Sequence, residues 1–330
     1  MRCAVVGGGA WGTALADVLA RNGHDTVLWA REEDVVDDVN LRHENRRFLA
    51  GFPLATTLEA TDRLEYAVKG RELVTFVTPS HVLRAVAGLC ARGVPGDAPV
   101  VVASKGIETE TLALMSDVAA EALPGRPVVA LSGPSFAAEV ASRQPTAIVA
   151  ASTDAEAARV VQQAYSSPLF RVYSNDDVVG VELGGSLKNV MAVATGIADG
   201  LGLGHNPRAA LITRGLAEMT RLGLAGGARA ATFAGLAGMG DLVLTCTGAQ
   251  SRNRAVGVEV GKGRTLAEVL DGKETVAEGV LTARSAHALA ERAGVEMPIV
   301  AAVHRILFEG MPARDAMVEL MTRELRSELD

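Results

Sequence analysis

The sequence predicts an α/β fold, with an N-terminal doubly wound, parallel-sheet domain over residues 1–178 followed by an all-helical C-terminal domain over 179–330. Three observations carry that prediction. The apolar run Arg2-Cys3-Ala4-Val5-Val6 leads straight into Gly7-Gly8-Gly9-Ala10-Trp11-Gly12 and then a helical stretch from Thr13 to Ala20. Apolar strand-like runs alternate with helical segments through the first half, which implies a parallel sheet with helices on both faces. From about Val179 helical periodicity takes over and clear strands nearly vanish. A chain of 330 residues is long enough for two compact domains.

The first element is the strand Arg2 to Val6, and the turn after it has the spacing G-x-G-x-x-G. Gly7 allows the tight turn, Gly9 lets the backbone approach a pyrophosphate, and Gly12 lets the helix beginning near Trp11 pack on the strand. A helix N-terminus suits phosphates, because its unpaired N–H groups and its dipole both favour negative charge. A strand before the glycines and a helix after them make this a Rossmann-type dinucleotide site.

Thr26 to Trp29 reads as the second strand, ending at Ala30-Arg31-Glu32-Glu33. An acidic side chain at this place accepts hydrogen bonds from the ribose hydroxyls of NAD, whereas an arginine accommodates the 2′-phosphate of NADP. Arg31 comes first and favours NADPH over NADH, although Glu32 and Glu33 follow within reach of a ribose hydroxyl. Further strands are expected at Leu73–Val77, Val100–Ala103, Val128–Leu131 and Ala147–Ala151. Three of them end in Thr78-Pro79-Ser80, Ser104-Lys105-Gly106 and Ser132-Gly133-Pro134-Ser135, and ligands collect beyond the carboxyl ends of such strands.

In the second half, helices are expected at Val181–Ala198, Pro207–Leu222, Leu266–Leu270, Thr282–Ala293, Pro298–Phe308 and Pro312–Leu325. Pro207, Pro298 and Pro312 suit first-turn positions, where a missing N–H leaves no bond unmade.

The net charge of −7 with arginines spread along the chain offers no basic block for nucleic acid. Cys3, Cys90 and Cys246 are odd in number and lack metal-ligand spacing, so neither a disulfide framework nor a metal site is expected, and a reducing cytoplasm fits. Cys3 to Ala16 is uncharged, yet its glycines and the early Asp17 argue against a signal-peptide core. No uncharged apolar run reaches the length of a membrane span, so no integral membrane association is expected.

The chain has 27 arginines but five lysines, Lys69, Lys105, Lys188, Lys262 and Lys273. Lysine can lose its proton when desolvated and act as a base, which arginine practically cannot. On a helix, Gly184, Lys188 and Ala192 share a face, giving the ammonium small neighbours. A lysine whose stem packs while its head reaches water satisfies the same pattern. A second constellation is Gly235-Leu236-Ala237-Gly238-Met239-Gly240-Asp241-Leu242-Val243-Leu244-Thr245-Cys246-Thr247, followed by Ser251-Arg252-Asn253-Arg254. Asp241 reads equally as a helix cap, and Arg252 with Ser251 and Asn253 as a phosphate cradle or a solvated loop. His205 reads as a loop residue.

Taken together, Gly7–Ala16, Ser104–Glu108, Ser132–Ala137, Glu182–Asn189, Asn206–Glu218, Gly235–Thr247, Ser251–Gly257 and Val276–Gly279 resemble the NAD(P)-dependent glycerol-3-phosphate dehydrogenases of the bacterial biosynthetic type. The resemblance implies reversible hydride transfer between a nicotinamide cofactor, NADPH or NADH, and C2 of dihydroxyacetone phosphate or sn-glycerol 3-phosphate, supplying phospholipid synthesis. It implies Lys188 as the proton acceptor and donor. It gives substrate contacts to Lys105, Gly133, Ser135, Lys188, Asp241, Ser251, Arg252 and Asn253. Cofactor contacts fall to Gly7, Gly9, Gly12, Trp11, Arg31, Lys105, Ala137, Arg252, Val276 and Glu278. Ala10 stands where a hydroxyl residue is common, and only one arginine follows the second strand. An apolar helical half also fits a homodimer.

Two other readings share parts of this pattern. A ketopantoate or hydroxy-acid reductase would share Gly7 to Gly12 and a helical lysine but needs no phosphate cradle. A dinucleotide sensor without chemistry would need neither Lys105 nor Lys188.

Overall fold

The computed structural model describes residues 1–272, 277–325 and 327. In its first half, β1 (Arg2–Val6), α1 (Ala10–Arg21), β2 (Asp25–Trp29), α2 (Glu33–Arg42), β3 (Glu59–Thr61), α3 (Leu64–Val68), β4 (Leu73–Phe76) and α4 (Leu83–Cys90) follow one another. Next come β5 (Val100–Val102), α5 (Met115–Ala122), β6 (Val128–Ser132), α6 (Ala137–Ala141), β7 (Thr146–Ala151), α7 (Ala155–Tyr165) and β8 (Phe170–Asn175). The eight strands form one sheet in the order β3-β2-β1-β4-β5-β6-β7-β8. Strands such as β1, with its last four residues buried, read as continuous apolar runs because helices cover both faces.

The order reverses between β1 and β4, where the outward connections leave a crevice at the carboxyl edge. The expected all-parallel sheet is corrected at one place, since β6 and β7 are antiparallel. The helix between them, α6, has five residues and spans about 7.5 Å. It is too short to carry the chain back along β6, so β7 starts from the edge at which β6 ended. β3 and β8 were not among the expected strands.

Among the described residues the second half holds helices and no strand: α8 (Val178–Gly200), α9 (His205–Ala225), α10 (Ala230–Phe233), a π turn (Leu236–Gly240), α11 (Asp241–Thr247), α12 (Arg252–Gly261), α13 (Leu266–Leu270), α14 (Glu278–Ala293), α15 (Pro298–Phe308) and α16 (Ala313–Met321). Pro298 opens α15 as expected, whereas Pro312 caps α16 from outside. His205 is the first residue of α9 rather than a loop residue, and it is exposed. α10 and α11, of four and seven residues, escaped the sequence reading because they are short and flank a glycine-rich turn, and α12 because Gly257 interrupts its periodicity. α8 is the axis of this half, buried from Gly180 to Ala198 and surrounded by other helices. The three cysteines are buried and unbridged, with burial raising each thiol to about 12.

Among the described residues one stretch, Ala230–Thr247, is long and apolar enough to cross a membrane. It is broken into α10, the π turn and α11, and it carries the buried Asp241.

Two of the carboxylates that bridge the halves do so through serines. Glu182 of α8 accepts from the backbone N–H of Ser116, at the start of α5, at 2.9 Å and from its hydroxyl as well. Glu278, opening α14, accepts from Ser80 N at 3.1 Å and Ser80 Oγ at 2.6 Å. Burial raises the Glu182 carboxyl to about 7, against the lowering effect of the Ser116 bonds. A folded carboxyl that holds its proton above the unfolded value loses stabilising effect as pH rises from about 4.5 through 7. Glu182→Gln, neutral at every pH, is therefore expected to gain stability relative to the parent between about pH 5 and pH 8, by roughly 3 kcal/mol. Calorimetric Tm values of both proteins across that range test this, and parallel curves would contradict it.

Candidate active site in the interdomain cleft

The crevice at the end of β1 begins with Gly7 at φ +128°, where a side chain would also strike the Val77 carbonyl oxygen at 2.8 Å. One turn into α1, a Cβ on Gly12 would lie 1.9 Å from Gly7 O, so strand and helix meet backbone to backbone. Gly9, the N-cap of α1, is different: nothing stands within 4 Å of the place its Cβ would take. Open space over a helix N-terminus is what a pyrophosphate requires. Beside it Trp11 buries an indole N–H that has no partner among the described residues. The residues present therefore fit a dinucleotide.

Arg31 lies beyond β2, 84% exposed and paired with Glu32 at 3.0 Å. Ala137 opens α6, and Val276 lies outside the described residues.

On the other side of the cleft, Lys188 projects from α8. Its Nζ donates to Asp241 Oδ1 at 2.6 Å and to Thr245 Oγ1 at 2.8 Å. Lys105, three residues beyond the end of β5 at Val102, donates to Asp241 Oδ2 at 2.6 Å and to Gly133 O at 3.3 Å. Residues separated by 53 and 136 positions are thus joined through one carboxylate. Glycines make the approach possible, since a Cβ on Gly184 of α8 would lie 2.5 Å from Ala237 O in the π turn. The turn lies flat on α8 and delivers Asp241 as the first residue of α11, where the helix dipole also favours its charge.

Lys188 and Asp241 are 7% and 1% exposed. Burial lowers Lys188 to about 8, with Lys105 adding repulsion and Asp241 opposing both. Burial works to raise Asp241, but the two ammonium groups outweigh it and hold the carboxyl below its ordinary value. An ammonium has three protons to donate, and two of those on Lys188 are engaged. The third is available to an oxygen entering the cleft.

Gly133 takes φ +143° with no room for a Cβ against Ile148, and its carbonyl accepts from Ser135 Oγ at 3.0 Å. Ser251 caps α12, accepting from Arg254 N at 3.2 Å. Asn253 donates to Asn189 Oδ1 at 2.9 Å and accepts from Gly279 N at 2.8 Å, so it joins α8, α12 and α14 and keeps one amide N–H free. Arg252, first in α12, is exposed and makes no hydrogen bond among the described residues. Burial raises the Glu278 carboxyl, against the effect of Ser80.

The structure therefore joins Lys105, Gly133, Lys188 and Asp241 by direct bonds, with Ser135 one bond away, and it leaves Arg31 and Arg252 facing solvent. Sequence reasoning placed Thr245 in the second constellation but gave it no role, and it missed the Asn189–Asn253 bridge. Thr245 stands four residues after Asp241, the spacing that puts two side chains on one helical face, but only once a helix is known to be there.

Two family models match the chain: the NAD-dependent glycerol-3-phosphate dehydrogenase N-terminus over residues 2–158 and the corresponding C-terminus over 177–318. A glycerol-3-phosphate dehydrogenase (NAD(P)+) of Geobacter sulfurreducens is 56% identical over 330 residues, covering 99% of this chain and 98% of that one. One from Myxococcus xanthus is 52% identical over 332 residues, covering 100% and 99%. The crystal structure of glycerol-3-phosphate dehydrogenase from Coxiella burnetii superposes with a TM-score of 0.93 at 42% identity, covering 98% and 99%. A ketopantoate reductase from Ralstonia eutropha superposes at 0.60 with 18% identity over 97% of this chain, a likeness of fold alone.

Proposed function

The chain belongs to the NAD-dependent glycerol-3-phosphate dehydrogenase family, and from that premise we propose that Lys188 is the residue that moves the proton in its reaction. The reaction is the NAD(P)H-dependent reduction of dihydroxyacetone phosphate to sn-glycerol 3-phosphate, a phospholipid precursor. The nicotinamide cofactor, when bound, supplies the hydride that C2 receives. Lys188 directs its third N–H at the C2 oxygen and gives up that proton as the oxygen gains charge; in the reverse direction the neutral amine takes it back.

The observation that carries this reading is one buried carboxylate gripping two ammonium groups at 2.6 Å each. Asp241 orients Lys188 and offsets one positive charge of two, so the cleft keeps a net +1 that attracts a phosphorylated substrate. Lys105 steadies the carbonyl oxygen from the cofactor side, with Gly133 and Ser135 beside it. Gly7, Gly9, Gly12, Trp11, Arg31, Ala137 and Glu278 line the dinucleotide, with Lys105 and Arg252 between cofactor and substrate.

Because Lys188 titrates at about 8, the two directions have opposite pH limbs. Reduction needs the ammonium, so its kcat falls as pH rises through about 8; oxidation needs the amine and rises there. Initial rates of both directions against pH test this, and limbs of the same sign would exclude a single proton-moving group.

The N-terminus of α12 with Ser251, Arg252 and Asn253 takes the substrate phosphate. Arg252→Ala is expected to raise KM for dihydroxyacetone phosphate by on the order of tenfold or more with little change in kcat, since a phosphate anchor binds ground and transition states alike. An unchanged KM would mean that the phosphate is held elsewhere.

The division at residues 178 and 179 is supported by the passage from β8 to α8 between Asn175 and Val178. A homodimer is supported by exposed Leu224, Val318 and Met321 on α9 and α16, and sedimentation velocity tests it. Cytoplasmic residence is supported by three unbridged cysteines.

A further inference from the structure

Eleven residues beyond Lys188 on the same helix, Asp199 is gripped from two sides. Arg254 of α12 donates through Nε to Asp199 Oδ2 at 2.8 Å, with its Nη2 at 2.7 Å from the same oxygen. Arg208 of α9 donates through Nε to Oδ1 at 3.1 Å, and its Nη2 is closer still. The carboxylate is 10% exposed and each guanidinium side chain 22%.

Both arginines stand where a helix disfavours them. Arg254 is the third residue of α12 and Arg208 the fourth of α9, within first turns whose free N–H groups already carry positive charge. Asp199 compensates the placement of both. The backbones of α8 and α12 touch: a Cβ on Gly196 would lie 2.1 Å from Arg254 O, and one on Gly257 2.2 Å from Val193 O. Small residues let two helices approach closely, but they present no side chain that prevents sliding or rotation. A forked ion pair at the end of the contact does.

We infer that Asp199, acting through Arg254, is a positioning residue for the phosphate end of the substrate. It holds the first turn of α12, with Ser251, Arg252 and Asn253, at the fixed distance from Lys188 that the span from C2 to the phosphate requires. Arg208 anchors the same carboxylate from α9. The inference rests on the reading that the α12 N-terminus takes the phosphate.

The test compares Asp199→Asn, Asp199→Glu, Arg254→Gln and Arg252→Ala in the full-length enzyme. KM and kcat for dihydroxyacetone phosphate are measured, with NADPH affinity read from tryptophan fluorescence. Asp199→Asn and Arg254→Gln are expected to raise KM by on the order of tenfold, with much smaller changes in kcat and in NADPH affinity. Asp199→Glu, which keeps the charge, is expected to recover part of the loss. Should Asp199→Asn fail to fold, Arg254→Gln decides, because it leaves the Arg208–Asp199 pair in place.

A folded Asp199→Asn or Arg254→Gln with the parent KM overturns the inference, as does an equal loss in kcat and NADPH affinity. If Arg252→Ala itself leaves KM unchanged, the phosphate reading fails and takes the inference with it. If Arg252→Ala raises KM while Asp199→Asn and Arg254→Gln do not, only the inference falls.

Discussion

Lys188→Met is expected to lower kcat by on the order of 10³-fold in both directions while leaving NAD(P)H affinity unchanged. Methionine fills much of the lysine volume and brings no charge, so the packing of α8 against α11 is retained. Asp241 keeps Lys105 at 2.6 Å, so the substitution does not leave a buried carboxylate alone. The glycine turn and Trp11 lie on the other side of the cleft and are untouched. What the variant loses is the proton at C2, and with it the dispersal of charge on the oxygen. Steady-state rates with saturating cofactor, together with a fluorescence titration of NADPH, measure both parts. Turnover within about tenfold of the parent would remove Lys188 from the proton-moving role.

The parts of this site that were legible in the sequence are those fixed by local geometry. Gly7, Gly9 and Gly12 announce themselves because no other residue tolerates φ +128° at the first position or a 1.9 Å approach to a carbonyl at the third. The long strands were legible because burial on both faces demands unbroken apolar runs. β3 was not: it has three residues, one of them Glu59, and pairs only along the sheet edge at β2. The direction of β7 was not legible either, because alternation of strand and helix carries no record of how far a short helix can carry the chain.

The same limit applies to chemistry. Lys188 and Asp241 each admit a bland reading in the sequence, a packed stem and a helix cap, and nothing local chooses between that and a catalytic one. Their meeting depends on Gly184 admitting the π turn, a contact between segments 53 residues apart. Only the resemblance to a known family put the two residues together beforehand. Thr245 shows the converse: its role follows from helical spacing, but the helix was hidden by glycines at 235, 238 and 240. Asn253, expected at the phosphate, is held between Asn189 and Gly279, and so also aligns three helices.

Asp241→Asn separates supplying the proton from tuning it. The substitution preserves shape but removes the one negative charge between two ammonium groups, and it sets an amide N–H against one of them. Burial and the Lys105 charge both push the Lys188 value down, and Asp241 is what holds it at about 8. Without that charge Lys188 becomes a neutral amine at neutral pH, unable to give a proton in reduction. Reduction is expected to fall by on the order of 10²-fold or more at about pH 7.5.

The loss should be smaller at acidic pH, because the limb moves below 8 rather than disappearing. Oxidation, which needs the amine, should shift its rise to lower pH in step. Lys188→Met has no group left to titrate and is expected to show no such recovery. Rate profiles of both variants from about pH 5.5 to pH 9 make the comparison. A limb that stays at about 8 in Asp241→Asn would mean that the carboxylate only aims the lysine. A limb moved in both directions by the same amount would mean that one charge, placed by α11 against α8, sets the proton affinity on which the reaction runs.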